Sequence, residues 1–272
     1  MSSQWEALLK NTGEWHGSFT QISPQGEVFG DIPSIVSLTP SEDRQTMRQV
    51  VTKYPDEQPS ELVLEYKSLG KGVLFHEDGA FSQGSIQWAP YTQFGAEFGL
   101  IHGDCRMRLV ELYNQQSQLD SLTLIRERLA GSETPARPQL SLEQLLGRWQ
   151  GVATTIYPDW QPSDTYTSHL QLSLANPDLL VQELSFGDRT IKSTGIISDQ
   201  QITFTQGESV VQVLMLPEGA SATCPLTIIP RQPFFIEVGW LINFNLRQRL
   251  IRSYDAKGEW VSLTLVVEQK LS

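Results

Sequence analysis

Only two cysteines, Cys105 and Cys224, occur in 272 residues, one in each half of the chain. Neither sits in a ligand-spaced pair, which excludes a disulfide framework and a zinc ribbon. No apolar run approaches the ~18 residues that span a bilayer. Met1 to Lys10 holds no charged-then-apolar leader. The expectation is a protein of the reducing cytoplasm with no membrane insertion. Positive charge is also short: 20 Lys and Arg against 31 Asp and Glu leave a net charge of −11. That sign repels a phosphate backbone and an anionic lipid surface, so nucleic acid is set aside as a partner. His16, His76, His102 and His169 lack metal-ligand spacing. No P-loop, dinucleotide fingerprint or nucleophile elbow is present. No metal site is expected, and the residues name no cofactor.

What the chain has instead is an internal repeat. Residues 106–113 lie over 247–254, and 119–127 over 260–268, without a gap. Identical pairs include Arg106/Arg247, Arg108/Arg249, Tyr113/Tyr254 and Glu127/Glu268. Gly13-Glu14-Trp15-His16-Gly17 matches Gly147-Arg148-Trp149-Gln150-Gly151. Phe81 to Gly84 matches Phe204 to Gly207, and Phe94 to Gly99 matches Phe234 to Gly239. These collinear anchors predict two tandem domains, residues 1–131 and 139–272, joined by the linker-like Gly131 to Pro138. Trp88 to Tyr91 finds no counterpart in the second copy, so a ligand site is expected in one copy alone.

Each copy opens with a short helix. Trp5, Leu8 and Leu9 share a face, as do Leu142, Leu145 and Leu146. Ser3 with Glu6, and Ser141 with Gln144, fit a capping box. The remainder reads as short β-prone runs broken by Gly, Pro, Asn, Asp and Ser, closing on a hairpin that turns at Asn114 to Ser117 or at Asp255 to Gly258. One unit therefore reads as a helix followed by roughly eight to ten antiparallel strands. A closed barrel leaves no exposed sheet edge and is preferred over a sandwich.

The Gly-x-Trp openings resemble the signature of lipocalins and the wider calycin group. Trp15 to Gly26, Phe81 to Gly84, Gln232 to Trp240 and Asn245 to Tyr254 resemble a two-barrel calycin-like family widespread in cyanobacteria, a family of unknown function. The likeness covers nearly the whole chain. It implies an all-β fold with short helices: two tandem lipocalin-like antiparallel barrels. A more distant resemblance, of fold only, is to the calycin-type lyases that attach bilins to phycobiliproteins. Lipocalins set a late Arg against the signature Trp. Arg126 or Arg128 takes that place in the first copy, whereas the second has Val267 and Gln269 there. Arg106 and Arg247 are the alternative.

Strand alternation puts Arg106 and Arg108 on one face, and Arg247 and Arg249 on another. Turned inward, such pairs would hold a carboxylate in bidentate geometry. Turned outward or against Trp15 or Trp149, they are structural. Glu97 and Glu237 match in position and need a partner if buried, the simplest being an Arg of the next strand. Trp88, Tyr91, Phe94 and Phe98, with Phe234 and Trp240, would line a pocket for a flat apolar ligand or else form core. Three readings follow. The first is non-catalytic binding of a small hydrophobic, carboxylated molecule such as a bilin, carotenoid or fatty acid. The second is a bilin lyase or isomerase. The third is a protein-interaction module with filled barrels. The oligomeric state is left open.

Overall fold

The computed structural model describes residues 3–55 and 58–271. The first copy runs α1 (Gln4–Leu8), β1 (Gly13–Ile22), β2 (Val28–Pro40), β3 (Met47–Lys53), β4 (Ser60–Tyr66), β5 (Val73–Phe75), β6 (Phe81–Gly84), β7 (Phe94–His102), β8 (Cys105–Tyr113) and β9 (Leu119–Leu129). The second runs α2 (Leu142–Leu145), β10 (Gly147–Ile156), β11 (Asp164–Asn176), β12 (Leu179–Phe186), β13 (Arg189–Ser198), β14 (Gln201–Phe204), β15 (Val211–Met215), β16 (Ala220–Pro225), β17 (Phe234–Asn243), β18 (Leu246–Tyr254) and β19 (Trp260–Leu271). The fold is mostly β, as the sequence pattern implies.

Local chemistry sets the ends of these elements. The Glu6 amide donates to Ser3 Oγ at 3.2 Å, and the Ser3 amide to Glu6 Oε2 at 2.8 Å, so both capping-box bonds form. Ser141 donates likewise to Gln144 Oε1 at 2.9 Å. In the last hairpins, Asn114 Oδ1 and Asp255 Oδ1 each accept two backbone N–H groups across the turn. Ser117 and Gly258 supply the positive φ, 62° and 82°. The second glycine of the opening motif has a steric cause. A Cβ on Gly17 would lie 1.8 Å from the Arg126 carbonyl oxygen across the β1–β9 pair.

The second copy closes completely, in the order β10 through β19 and back to β10. The first forms a nine-stranded sheet, β4-β3-β2-β1-β9-β8-β7-β6-β5, whose edge strands β4 and β5 do not pair. The expectation of two closed barrels therefore holds for one copy, and the other is a curled half-barrel. Strand registers show why. Leu74 faces Ser82 and Ser82 faces Phe98. Leu214 faces Ala222 and Ala222 faces Val238. So β5 and β6 correspond to β15 and β16, and β14 has no equivalent in the first copy. The same registers correct the match of Phe81 to Gly84 with Phe204 to Gly207. Phe204 ends the unmatched strand, and the true partners of Phe81 to Gly84 are Ser221 to Cys224.

Three apolar cores result. One lies inside the half-barrel around Trp15, Val36, Leu38 and Met47. A second fills the closed barrel around Trp149, Leu170, Leu172, Ile202 and Met215. The largest lies between the two sheets and includes Phe94, Phe98, Met107, Leu109, Tyr113, Val238, Trp240, Leu250 and Tyr254. Both faces of β8 and β18 are thus buried, one toward a barrel interior and one toward the other copy.

A pseudo-twofold exchange stitches this interface together. The Trp88 amide donates to the Gly258 carbonyl at 2.8 Å, and the Ile228 amide to the Ser117 carbonyl at 2.9 Å. Trp260 donates to Ile86, and Leu119 to Leu226, both at 2.9 Å. Tyr113 Oη reaches the Pro225 carbonyl and Tyr254 Oη the Ser85 carbonyl, again at 2.9 Å. Trp88 to Tyr91 does have a counterpart, therefore: Ile228 to Arg231. Tyr91 and Arg231 even share a left-handed φ, 66° and 65°. Only the proline of the four residues is identical, which hid the match.

Candidate functional site

The inner faces of β7, β8 and β9 bring four charged side chains together in the half-barrel. Glu127 is buried and accepts from Arg106 Nε at 2.6 Å and from Arg108 Nε and Nη2 at 3.0 and 2.9 Å. Arg108 Nη1 reaches Glu97 Oε1 at 2.6 Å. Burial pushes the Glu127 carboxyl up, but Arg108 and Arg106 outweigh it and bring it down to about 2. Charge-assisted bonds to both carboxylate oxygens explain how two guanidinium groups persist away from water.

The closed barrel repeats the quartet. Glu268 accepts from Arg249 Nε at 3.1 Å and is paired with Arg247, while Arg249 Nη1 lies 3.3 Å from Glu237. Burial raises the Glu268 carboxyl, and Arg247 and Arg249 together carry it below its ordinary value. The guanidinium of Arg106 sits 4.4 Å above the Trp15 ring, and that of Arg247 4.9 Å above Trp149. These two, not Arg126 or Arg128, pack on the signature tryptophans. Arg126 instead bonds Ser18, Thr20 and Asp31, and Arg128 bonds the Thr134 and Pro135 carbonyls and Glu218.

Arg106, Arg108 and Glu97 line a cavity of about 270 Å³ inside the half-barrel. Its apolar wall includes Val36, Leu38, Leu64, Phe75 and Phe81, and its polar groups include Asn11, Gln49, Tyr66 and Gln83. Residues of β4, of β5 and of Ser68 to Gly70 between them line it on the side where β14 has no equivalent. Among the described residues Arg106 bonds through Nε alone, and its Nη2 is buried without a partner. Asn11 gives its amide N–H to the Gly79 carbonyl at 3.0 Å, and its Oδ1 is buried with no donor among the described residues. Tyr66 Oη donates to Gln49 Oε1 at 3.1 Å, and Gln83 Nε2 to Glu97 Oε2 at 2.7 Å.

The aromatic residues singled out from sequence are placed elsewhere. Phe94 and Phe98 alternate with Glu97 along β7, so they face the opposite side, into the core between the sheets. Trp88, Phe234 and Trp240 lie in or against that core too. Phe234 stacks on Tyr254 at 4.7 Å, and Phe94 packs edge-on to Phe234, Tyr254 and Tyr113. Tyr91 is 85% exposed. Sequence reasoning missed Glu127, Glu268, Asn11, Gln49 and Tyr66 as site residues. Identity of Glu127 and Glu268 in the repeat was the available signal for the first two. Nothing in the local sequence marked the other three.

No helix among the described residues is long and apolar enough to cross a membrane. Family models match both halves. Residues 1–132 match the N-terminal domain of DUF3598, a domain of unknown function, and residues 136–271 match the C-terminal domain of "Biogenesis factor required for ATP synthase 1". No curated protein matches the chain. Among solved structures, a DUF3598 protein of unknown function from Nostoc punctiforme PCC 73102 is 47% identical over 100% of both chains, with a TM-score of 0.95. The S-type phycobiliprotein lyase CpeS of Guillardia theta is 14% identical over 48% of this chain and 90% of its own, with a TM-score of 0.34. With 47% identity over its full length to a member from a cyanobacterium, the chain belongs to the DUF3598 family.

Proposed function

We propose that the protein is a non-catalytic assembly factor that works by protein contact in the biogenesis of ATP synthase. The observation that carries this is the match of residues 136–271 to a domain named for that process. The geometry of the same residues agrees with it. Trp149, Leu170, Leu172, Leu180, Ile202 and Met215 pack the interior of the closed barrel, and Glu237 and Glu268 balance its two arginines. A packed interior leaves the outer surface to act. Exposed aromatic residues, Trp160 at 73% and Phe244 at 82%, offer anchors of the type that dominate protein contacts. The test mixes the full chain with each purified ATP synthase subunit and follows complex formation by light scattering. A defined complex with at least one subunit is expected, and absence of any complex refutes the assignment.

A second reading has its own support. The half-barrel cavity, with partnerless polar atoms on two of its lining residues, favours a small bound molecule. At about 270 Å³ it lies at the small end of ligand pockets, which suits a short aliphatic compound better than an enclosed bilin or carotenoid. Native mass spectrometry of the purified chain tests it. A retained small molecule is expected, and it should be lost from a variant with a blocked cavity.

A further inference from the structure

We infer that the half-barrel cavity takes a neutral carbonyl compound of the carboxamide class rather than a carboxylate; this rests on the second reading above. The charged residues lining the cavity are Glu97, Arg106 and Arg108, and Glu127 bridges the two arginines. Two positive and two negative groups are already matched. A bound carboxylate would add a fifth, uncompensated charge beside Glu97. The paired arginines that suggested anion binding from sequence are therefore already neutralised within the chain.

Hydrogen-bonding capacity is nonetheless left over. Among the described residues the Arg106 Nη groups make no hydrogen bond, while the ring of Trp15 holds the guanidinium plane in place. Gln49 accepts from Tyr66 through Oε1, which leaves its amide N–H groups to donate. Asn11 is the converse: the Gly79 carbonyl fixes its N–H side, so its oxygen is left to accept. Spare donors and a spare acceptor on residues that line one cavity are matched by a carbonyl oxygen with an N–H next to it. A primary amide has both, carries no charge, and can lay an alkyl tail against Val36, Leu38 and Phe81. Leaving buried polar groups unpaired is costly, so a ligand that pairs them gains affinity and discrimination.

The experiment compares octanamide with octanoate by isothermal titration calorimetry on the full chain at neutral pH, where octanoate is ionised. Octanamide should bind at least tenfold more tightly. Val36→Phe, on the cavity wall, and Leu64→Trp, at its exposed edge, should each abolish octanamide binding while preserving the thermal unfolding transition. Leu64 is 41% exposed on an edge strand, so that variant keeps the test open if Val36→Phe fails to fold. Equal or tighter binding of octanoate overturns the neutral class but leaves the cavity reading standing. Octanamide binding that survives both variants places the site elsewhere and overturns the proposal. No binding of either probe overturns the cavity reading and the proposal together.

Discussion

Glu111 offers the sharpest check on the interface between the two copies. It sits on the face of β8 that turns toward the second copy, with 0% exposure, and among the described residues neither carboxylate oxygen has a hydrogen-bond partner. Burial, and secondarily the negative charge of Glu237, push its carboxyl well above the ordinary value of 4.5. The folded protein therefore holds a proton on Glu111 that the unfolded chain releases. Between pH 4.5 and the folded-state value, the folded state binds one more proton at this site, so stability falls as pH rises, by about 1.4 kcal/mol per unit. The loss continues across the range for as long as folded Glu111 keeps its proton. Glu111→Gln removes the titration. Glu111→Met also removes the unpaired polar group, and should add about 1–3 kcal/mol at neutral pH. Urea unfolding of wild type and both variants at several pH values between 5 and 8 measures this. His76, whose burial lowers it to about 4, tilts the curve the other way below pH 6.5, so the difference between variant and wild type is the quantity to read. Parallel pH curves, or a Glu111→Met variant less stable than wild type at pH 8, would refute the reasoning.

Further outcomes follow from the same packing. Glu127→Gln leaves two guanidinium groups short of a counter-charge and should cost about 3–5 kcal/mol, read as a shift in the urea midpoint. Phe94→Ala removes a ring that touches Tyr113, Phe234 and Tyr254, and should cost about 3–5 kcal/mol in a single calorimetric transition, because the lost contacts belong to both copies. Gly17→Ala should prevent folding of the half-barrel, visible as loss of the near-ultraviolet signal of Trp15, since the clash is with backbone. Cys224 is buried, and burial followed by the nearby Glu111 raises its thiol well above the ordinary value. Iodoacetamide should leave it unlabelled in the folded protein and label it fully in urea.

Duplication, capping boxes, the closing hairpins and the Gly-x-Trp strands were legible in the sequence because each depends on local chemistry. Asn114 and Asp255 must accept across their turns, and Gly17 must admit the Arg126 carbonyl. The partner of Glu97 was also foreseeable, since Arg108 lies on the adjacent strand. The function of the aromatic residues was not. Phe94 and Glu97 are three apart in a strand, so they face opposite sides, and only the second copy's position reveals that the Phe94 side is an interface rather than a pocket. The missing strand was hidden for another reason. Phe204 to Gly207 resembles Phe81 to Gly84 in composition, and only hydrogen-bond register separates the two.

The quartet of Arg and Glu residues occurs in both copies, in the filled barrel as much as in the open one. It therefore cannot be what distinguishes a ligand-binding half from a structural half. Its shared role is to seat the arginine against the first-strand tryptophan while satisfying the second arginine, which fixes β7, β8 and β9 relative to β1 in one copy and β17, β18 and β19 relative to β10 in the other. What differs is the surroundings. In the closed barrel, Ile202 from β14 joins the interior core, and Lys270 places its ammonium 5.4 Å from the Trp149 ring. In the half-barrel β14 is absent, and the residue matching Lys270 is Leu129. The cavity thus goes with the lack of a β14 equivalent on a shared framework, and any activity unique to the first copy depends on the residues beside that gap, such as Leu64, Tyr66 and Gln49, together with the unpaired Nη2 of Arg106.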